Sequence, residues 1–378
     1  MDGERTVGQP AVYMDCRFYR GCAPCEPHKR DGRGCPGCDL YDPIIEHVLV
    51  IKLGAMGDVL RTTALLPDIA AAHVRPAISW IAGRESLDLP AGNPLVHRTV
   101  AADAAMPVLA SRRFAAVYTL DSSEEALALS RMAVAPLRRG YRSGPHGTAI
   151  GVEPGGDDTL FRIGLNDAAK RANRRSYLEL LSATAGLTYS GHRPAIALRA
   201  ETVDAVRSEL ADLPRPWIGV NAGASDRWEH KRWTQQHLTR FVARLCDERM
   251  STLLFGQGED ALSNRVLAQR FGPHVRSIES TGRVDRLFAA IAEVDVLLTS
   301  DTLAMHAAWA LRRRVVALFG PTSAAEIDLD PDDVKLRADL PCLGCYLHAC
   351  DVERHCMELL TPERVFDAVR SRLAVRRA

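Results

Sequence analysis

The chain has 378 residues, more than one ordinary core accommodates and enough for two α/β domains. Hydrophobic residues at 47% and charged residues at 25% mark a globular protein, and a net charge of +1 lacks the basic excess of a nucleic-acid binder. Only five of the 48 basic residues are lysine, a skew that reads as GC-rich coding and not as an arginine-built site.

The opening stretch MDGERTVGQP has no basic region followed by an apolar run, and no uncharged apolar segment reaches membrane-spanning length. The expectation is a cytoplasmic protein with at most peripheral membrane contact. Ten cysteines in such a chain point to metal or redox chemistry more than to disulfides, and nine of them lie toward the two ends. Cys246 alone sits in the body, as a small core residue.

Residues 1–43 form a Cys-rich arm. It contains Cys22-x2-Cys25 and Cys35-x2-Cys38 with His28 between them, in a context too rich in Gly, Pro and charge to bury a core. From 44 to about 199, short β-rich runs (HVLVIKL, AISWIAG, AAVYTLD) alternate with helical stretches such as RRSYLELLSATAGL, closed by Gly186. From about 200 to 340 the alternation resumes with WIGVNAG, STLLFGQG, VDVLLTSD and RVVALFGPT. Two βαβ series with parallel sheets follow from this pattern, and ligands of such sheets bind beyond the carboxyl ends of the strands. Residues 341–378 carry Cys342, Cys345, Cys350 and Cys356 before a final helix.

The strand ends carry the unusual residues. After the first comes LGAMGDVL: Lys52, then Gly54 and Gly57, which allow close backbone approach, then Asp58 near a helix start. Asp58 is either a helix cap or a group that does chemistry, and the missing Gly-Lys-Ser/Thr ending rules out a phosphate loop. In the second half, Asn221-Ala-Gly223 is followed by the segment Trp228 to Trp233, in which Lys231 can neutralise a phosphate. Gly256-Gln-Gly258-Glu259-Asp-Ala261 matches a relaxed dinucleotide fingerprint, with Glu279 some twenty residues on. Ser300-Asp301-Thr302 opens a helix whose free N–H groups would face an anion, with His306 one turn later, and Gly320 begins the tight turn after ALF.

Singly these signals are weak, but their order resembles glycosyltransferase family 9, the ADP-heptose heptosyltransferases, from about residue 44 to the end. LGAMGDVL and SDTLAMHAAWAL…VVALFGPT carry most of the likeness. The resemblance implies a GT-B fold, with two Rossmann-like domains facing a cleft, the acceptor mainly on the first and an ADP-sugar on the second. It implies Asp58 as general base and Lys231 as the cation on the departing diphosphate. Asn221, Gly223, Glu259, Asp301, Thr302, His306 and Gly320 fall on the donor side, and Lys52, Gly54 and Gly57 on the acceptor side. Family members usually read Asp-Ser/Thr-Gly-Pro-x-His where this chain has Leu303 and Ala304, and a Pro-Gly pair is common where it has NAG.

The implied reaction is an inverting, metal-independent transfer of a heptose or related sugar to a lipopolysaccharide inner-core or natural-product hydroxyl. Some relatives that carry the arm lack a residue like Cys22 but keep the equivalents of Cys25, His28, Cys35 and Cys38, which favours that set for a structural zinc. For Cys342, Cys345, Cys350 and Cys356, metal ligation and free thiols both stand. The last helix of such folds often returns to the first domain, where the two groups would meet and an iron–sulfur cluster becomes conceivable. Two readings from other classes remain: a nicotinamide-dependent oxidoreductase built on GQGEDA, and a non-catalytic metal-dependent binding protein.

Overall fold

The computed structural model describes residues 12–223, 230–279, 284–347 and 350–374. Residues 224–229, part of the stretch that separates Asn221 from Lys231 and including Trp228, lie outside the described residues.

Two six-stranded sheets organise the chain. The first comprises β1 (Glu46–Ile51), β2 (Pro76–Ala82), β3 (Val96–Ala101), β4 (Ala116–Thr119), β5 (Leu137–Ser143) and β6 (Ala149–Val152), in the order β3-β2-β1-β4-β5-β6. The second comprises β7 (Trp217–Asn221), β8 (Ser251–Gly256), β9 (Val275–Glu279), β10 (Val296–Ser300), β11 (Arg314–Phe319) and β12 (Val334–Arg337), in the order β12-β11-β10-β7-β8-β9. All pairings are parallel except β5 with β6. Strands covered by helices on both faces need no polar face, and VLVI of β1, VLLTS of β10 and VVALF of β11 are buried throughout.

In each sheet the strand order reverses once, between β1 and β4 and between β7 and β10. Crevices open at such reversals because the connections on either side leave in opposite directions. Asp58 follows β1; Asn221 ends β7; Asp301 and Thr302 follow β10. Both reversals therefore carry residues singled out from the sequence.

The helix Tyr177–Thr184 forms where expected. Ser176 accepts from the backbone N–H of Glu179, whose side chain accepts from Ser176 N–H in return, and Gly186 takes the left-handed φ of 68° just past its end. The last helix departs from expectation. Pro362–Ala374 packs on Gln235–Asp247 and beneath β10 and β11, with Val365, Phe366 and Val369 in the core of the second domain. It does not return to the first. The N-terminal arm is tied to the first domain instead, where Arg17 pairs with Asp42 at 2.7 Å and donates to the Pro76 carbonyl at 3.1 Å. The two cysteine groups thus belong to different domains. Among the described residues, no helix is long and apolar enough to cross a membrane.

Candidate active site

The helix Met56–Thr62 begins after Ala55, which has extended dihedrals and contributes no side-chain cap. Asp58 is the third residue of this helix, not its cap. Its Oδ1 meets Arg61 Nη2 at 2.6 Å, one turn along, and its side chain stays 37% exposed toward the cleft. Burial pushes its carboxyl up, but Arg61, Lys52 and His306 outweigh that and hold it below the usual range. The group is an anion at neutral pH, reachable by a hydroxyl.

Arg61 was not expected here, although the i,i+3 spacing to Asp58 in GDVLR makes the pair readable. Its guanidinium lies 3.6 Å over the ring of Tyr177, and its Nε is buried without a hydrogen-bond partner. Burial opposes its charge, and Asp58, Asp301 and Glu326 overcome that, so it remains a cation.

Lys52, expected on the acceptor side, is a buried lysine just past the end of β1. Its side chain is buried, with Nζ 3.5 Å from Asp121 Oδ2, and Asp121 also accepts from the N–H groups of Leu53 and Ser123. Lys52 lies near enough for its charge to hold the Asp58 carboxyl down. A Cβ on Gly54 would meet Glu85 Oε1 at 4.0 Å, an ordinary contact. Gly57 is the contact glycine: a Cβ there would lie 3.2 Å from His306 Cδ2 and 3.6 Å from Leu303 Cα. Its bare backbone lets the first domain's helix meet the helix Leu303–Ala310 of the second.

On that second side Lys231 Nζ pairs with Asp301 Oδ2 at 2.9 Å, both side chains 14% exposed. Burial pushes the Asp301 carboxyl up, and Lys231 and His306 pull it below its ordinary value. Thr302 precedes the helix Leu303–Ala310 and donates from Oγ1 to Asn221 Oδ1 at 2.9 Å, joining the ends of β10 and β7. The helix start thereby keeps N–H groups that no side chain caps, the partial positive charge of a helix N-terminus. His306 is buried, and its pKa falls to about 4 because burial and the Arg61 cation disfavour protonation more than Asp301 and Asp58 favour it. It is a neutral imidazole in the cleft.

Gly223 and Glu259 line a cavity of about 350 Å³ with Arg232, Trp233, Asn264 and His355. A Cβ on Gly223 would strike Asp260 Oδ2 at 2.1 Å, and one on Gly256 would lie 2.7 Å from Asn264. Glu279 is engaged by Arg265 at 2.7 Å. Of the GQGEDA glycines, Gly256 serves close packing and Gly258 takes a left-handed φ of 56° with open space around it, while Glu279 is not held ready for a ribose. Gly320 ends β11 against the C-terminal segment, where a Cβ would meet Cys356 Sγ at 2.4 Å.

Cys342, Cys345, Cys350 and Cys356 line one small cavity with His230, Gly320 and Pro321. In the arm, Cys25 precedes the helix Glu26–Asp31, His28 donates from Nδ1 to the Arg33 carbonyl at 2.8 Å, and Cys38 closes a turn on Cys35. Among the described residues, no three His, Cys, Asp or Glu side chains stand where they could already hold a metal ion. Neither group is a preformed tetrahedron.

A model of glycosyltransferase family 9 (heptosyltransferase) matches residues 106–354. Lipooligosaccharide heptosyltransferase 2 of Campylobacter jejuni is 29% identical over 160 residues, 40% of this chain and 50% of that protein. The chain therefore spans about half the length of this curated relative. In three dimensions it is similar to the Escherichia coli ADP-heptose LPS heptosyltransferase II, with a TM-score of 0.64 and 21% identity over 86% of this chain and 98% of that one. It is also similar to TibC, an iron-containing dodecameric glycosyltransferase of enterotoxigenic E. coli, with a TM-score of 0.52 and 14% identity over 87% and 76%. Two Rossmann-like domains with facing sheets are the GT-B fold these structures share. With the family segment covering more than half of its length, the chain belongs to glycosyltransferase family 9, the heptosyltransferase family.

Proposed function

We propose that this protein transfers a heptose, or a closely related sugar, from an ADP-sugar to an acceptor hydroxyl with inversion. The observation that carries this is the meeting of the two sheet reversals: Asp58 faces the Lys231–Asp301 pair, His306 and the uncapped start of the helix Leu303–Ala310. One side offers an anion that accepts a proton, the other positive groups for a leaving diphosphate. As the acceptor oxygen bonds to the anomeric carbon, its proton passes to the Asp58 carboxylate and the bond to the diphosphate breaks. ADP leaves with the bond's electrons, stabilised by Lys231 and the helix N–H groups. Inversion follows from attack opposite the departing group, and these residues supply the charge without a metal.

Gly223 and Glu259 place the nucleoside in the cavity of about 350 Å³ beside β7 and β8. The acceptor is a lipopolysaccharide inner core or a soluble saccharide-bearing product, and the reaction is cytoplasmic. A nicotinamide-dependent reaction has little support, since Glu279 is occupied by Arg265. The cysteine groups serve a structural metal on this reading. Cys25, His28, Cys35 and Cys38 have the donor chemistry for zinc, and the common cavity supports Cys342, Cys345, Cys350 and Cys356 as a second ligand set bracing the Gly320 turn.

A thermal-shift screen across ADP-, GDP- and UDP-sugars, followed by ADP release with candidate acceptors, tests the assignment. Selective stabilisation by ADP-heptose is the expected result. Equal indifference to all three nucleotide classes sinks it.

A further inference from the structure

A second cavity flanks the same centre on the opposite side. Strand order puts β7 and β8 on one side of β10, and β11 and β12 on the other. The β11–β12 side holds a cavity of about 130 Å³, the space of about four water molecules. Arg171 and Arg174 line it from the first half of the chain, Arg337 from the end of β12, and Thr322 and Ser323 from the turn after β11. Arginine abundance alone predicted no such gathering.

The three arginines are themselves exposed, and two features mark the cavity they line. Among the described residues, none of its three guanidinium groups forms an ion pair with a carboxylate. Arg174 instead donates from Nη1 to the carbonyls of Arg171 and Asn173, at 2.9 and 2.8 Å, which holds its side chain in place and leaves its other donors unspent. Thr322 is only 7% exposed, and its Oγ1 is buried with no hydrogen-bond partner. Like charges gathered without a counter-ion repel, and an unsatisfied buried hydroxyl costs free energy. A tetrahedral oxyanion resolves both, since guanidinium groups meet phosphate with paired N–H donors.

The place of the cavity suggests which substrate carries that oxyanion. Glu326, next to the wall residue Ala325, is near enough for its charge to act on Arg61, the partner of Asp58. The nucleoside-sized cavity with Glu259 lies beyond β10, on the β7–β8 side. The arginine cavity therefore adjoins the proton-accepting side of the cleft.

We propose that Arg171, Arg174, Arg337 and Thr322 form a subsite for a phosphate group carried by the acceptor. The proposal rests on the glycosyl-transfer reading above for the word acceptor, and on the cavity alone for the anion. The two domains both contribute, so the acceptor's phosphate would bridge them as the cleft closes over the reacting hydroxyl.

The test titrates inorganic phosphate, glucose 6-phosphate and glucose into protein saturated with ADP, so that the diphosphate position is already filled. Expected is saturable binding of both phosphates and none of glucose. Arg337→Gln and Arg171→Gln each weaken phosphate binding tenfold or more, with ADP affinity changed less than twofold. Thr322→Val weakens phosphate several-fold yet leaves the melting temperature equal or higher, because it removes an unsatisfied hydroxyl. Absence of saturable phosphate binding, or variants that bind like wild type, overturns the proposal. Binding of inorganic phosphate with exclusion of the sugar phosphate overturns the acceptor assignment. Intact phosphate binding in a protein that ignores ADP supports the anion site and counts against the transfer reading instead.

Discussion

Arg61 holds Asp58 across one helical turn, Nη2 to Oδ1 at 2.6 Å, while its own ring-stacked guanidinium sits 3.6 Å over Tyr177. The pairing keeps the carboxylate ionised and fixes its direction, at some cost in basicity. A base tuned this way trades proton affinity for availability.

Arg61→Gln should therefore change the pH profile more than the fold. With the largest attractive charge gone, burial pushes Asp58 upward and the acid limb of kcat/KM moves to higher pH. In wild type the acid limb should lie at lower pH, because Arg61, Lys52 and His306 hold the Asp58 carboxyl below its ordinary value. A variant profile superimposable on wild type would show that the pair does not tune Asp58.

Asp58→Asn is expected to fold and bind ADP-sugar normally and to lose roughly 10²- to 10⁴-fold in transfer rate, the usual share of a general base. The structure sharpens this test, since the helix is entered through Ala55 and no capping bond is lost with the charge. ADP release and thermal melting on both proteins decide it. Near-wild-type transfer by the Asn form would falsify the mechanism.

The sequence exposed these parts unevenly, for physical reasons. Buried parallel strands such as VLVI and VVALF leave an apolar run that any reading finds, and strand-end glycines with a charge beside them mark a crevice. β3, with VHRTVA, and β5, with LRRGYRS, are mixed in polarity and lie toward the sheet edge, so their pattern is weak. Lys52 was placed on the acceptor side by the family resemblance, and only the fold shows Asp121, 69 residues away, beside it. The three-arginine cavity is illegible for the same reason: Arg171 and Arg337 approach only after both domains have formed. The order of motifs made the Asp58–His306 cleft legible, and long-range pairing hid its surroundings.

Lys231→Ala should impair donor use, and the burial of its partner adds a second effect. Asp301 is as covered as Lys231, so removing the cation leaves a buried carboxylate uncompensated, at a cost of about 3–5 kcal/mol. The single variant should lose both stability and kcat. Adding Asp301→Asn should recover most of the melting temperature but not the turnover, because the diphosphate still lacks its ammonium. If the double variant releases ADP like wild type, Lys231 serves the ion pair alone.

His306 predicts an acid-sensitive fold. Its folded pKa of about 4 lies below the unfolded value, so the unfolded chain binds more protons between the two. Stability from this group is complete above about pH 6.5 and is lost as pH falls toward 4, by at most about 3 kcal/mol. His306→Gln should flatten the urea-midpoint profile across that window while leaving it unchanged in slope above pH 7. Equal acid sensitivity in the two proteins would place the titration elsewhere.

The cysteine groups make the remaining prediction: protein prepared without oxygen should carry close to stoichiometric zinc, held by Cys25, His28, Cys35 and Cys38. The arm around them has little apolar surface, and Pro27 is the only buried residue of its helix Glu26–Asp31, so a metal's binding energy would offset the entropy of ordering it. His28 already donates from Nδ1 to the Arg33 carbonyl, which fixes the tautomer that leaves Nε2 free to ligate. Paired serine variants separate the two groups. Cys25→Ser with Cys38→Ser should remove the zinc, whereas loss only with Cys342→Ser and Cys356→Ser would assign it to the cavity against Gly320. Visible absorbance from a brown preparation would mean an iron–sulfur cluster in place of zinc. Elemental analysis finding neither zinc nor iron would leave both groups as thiols.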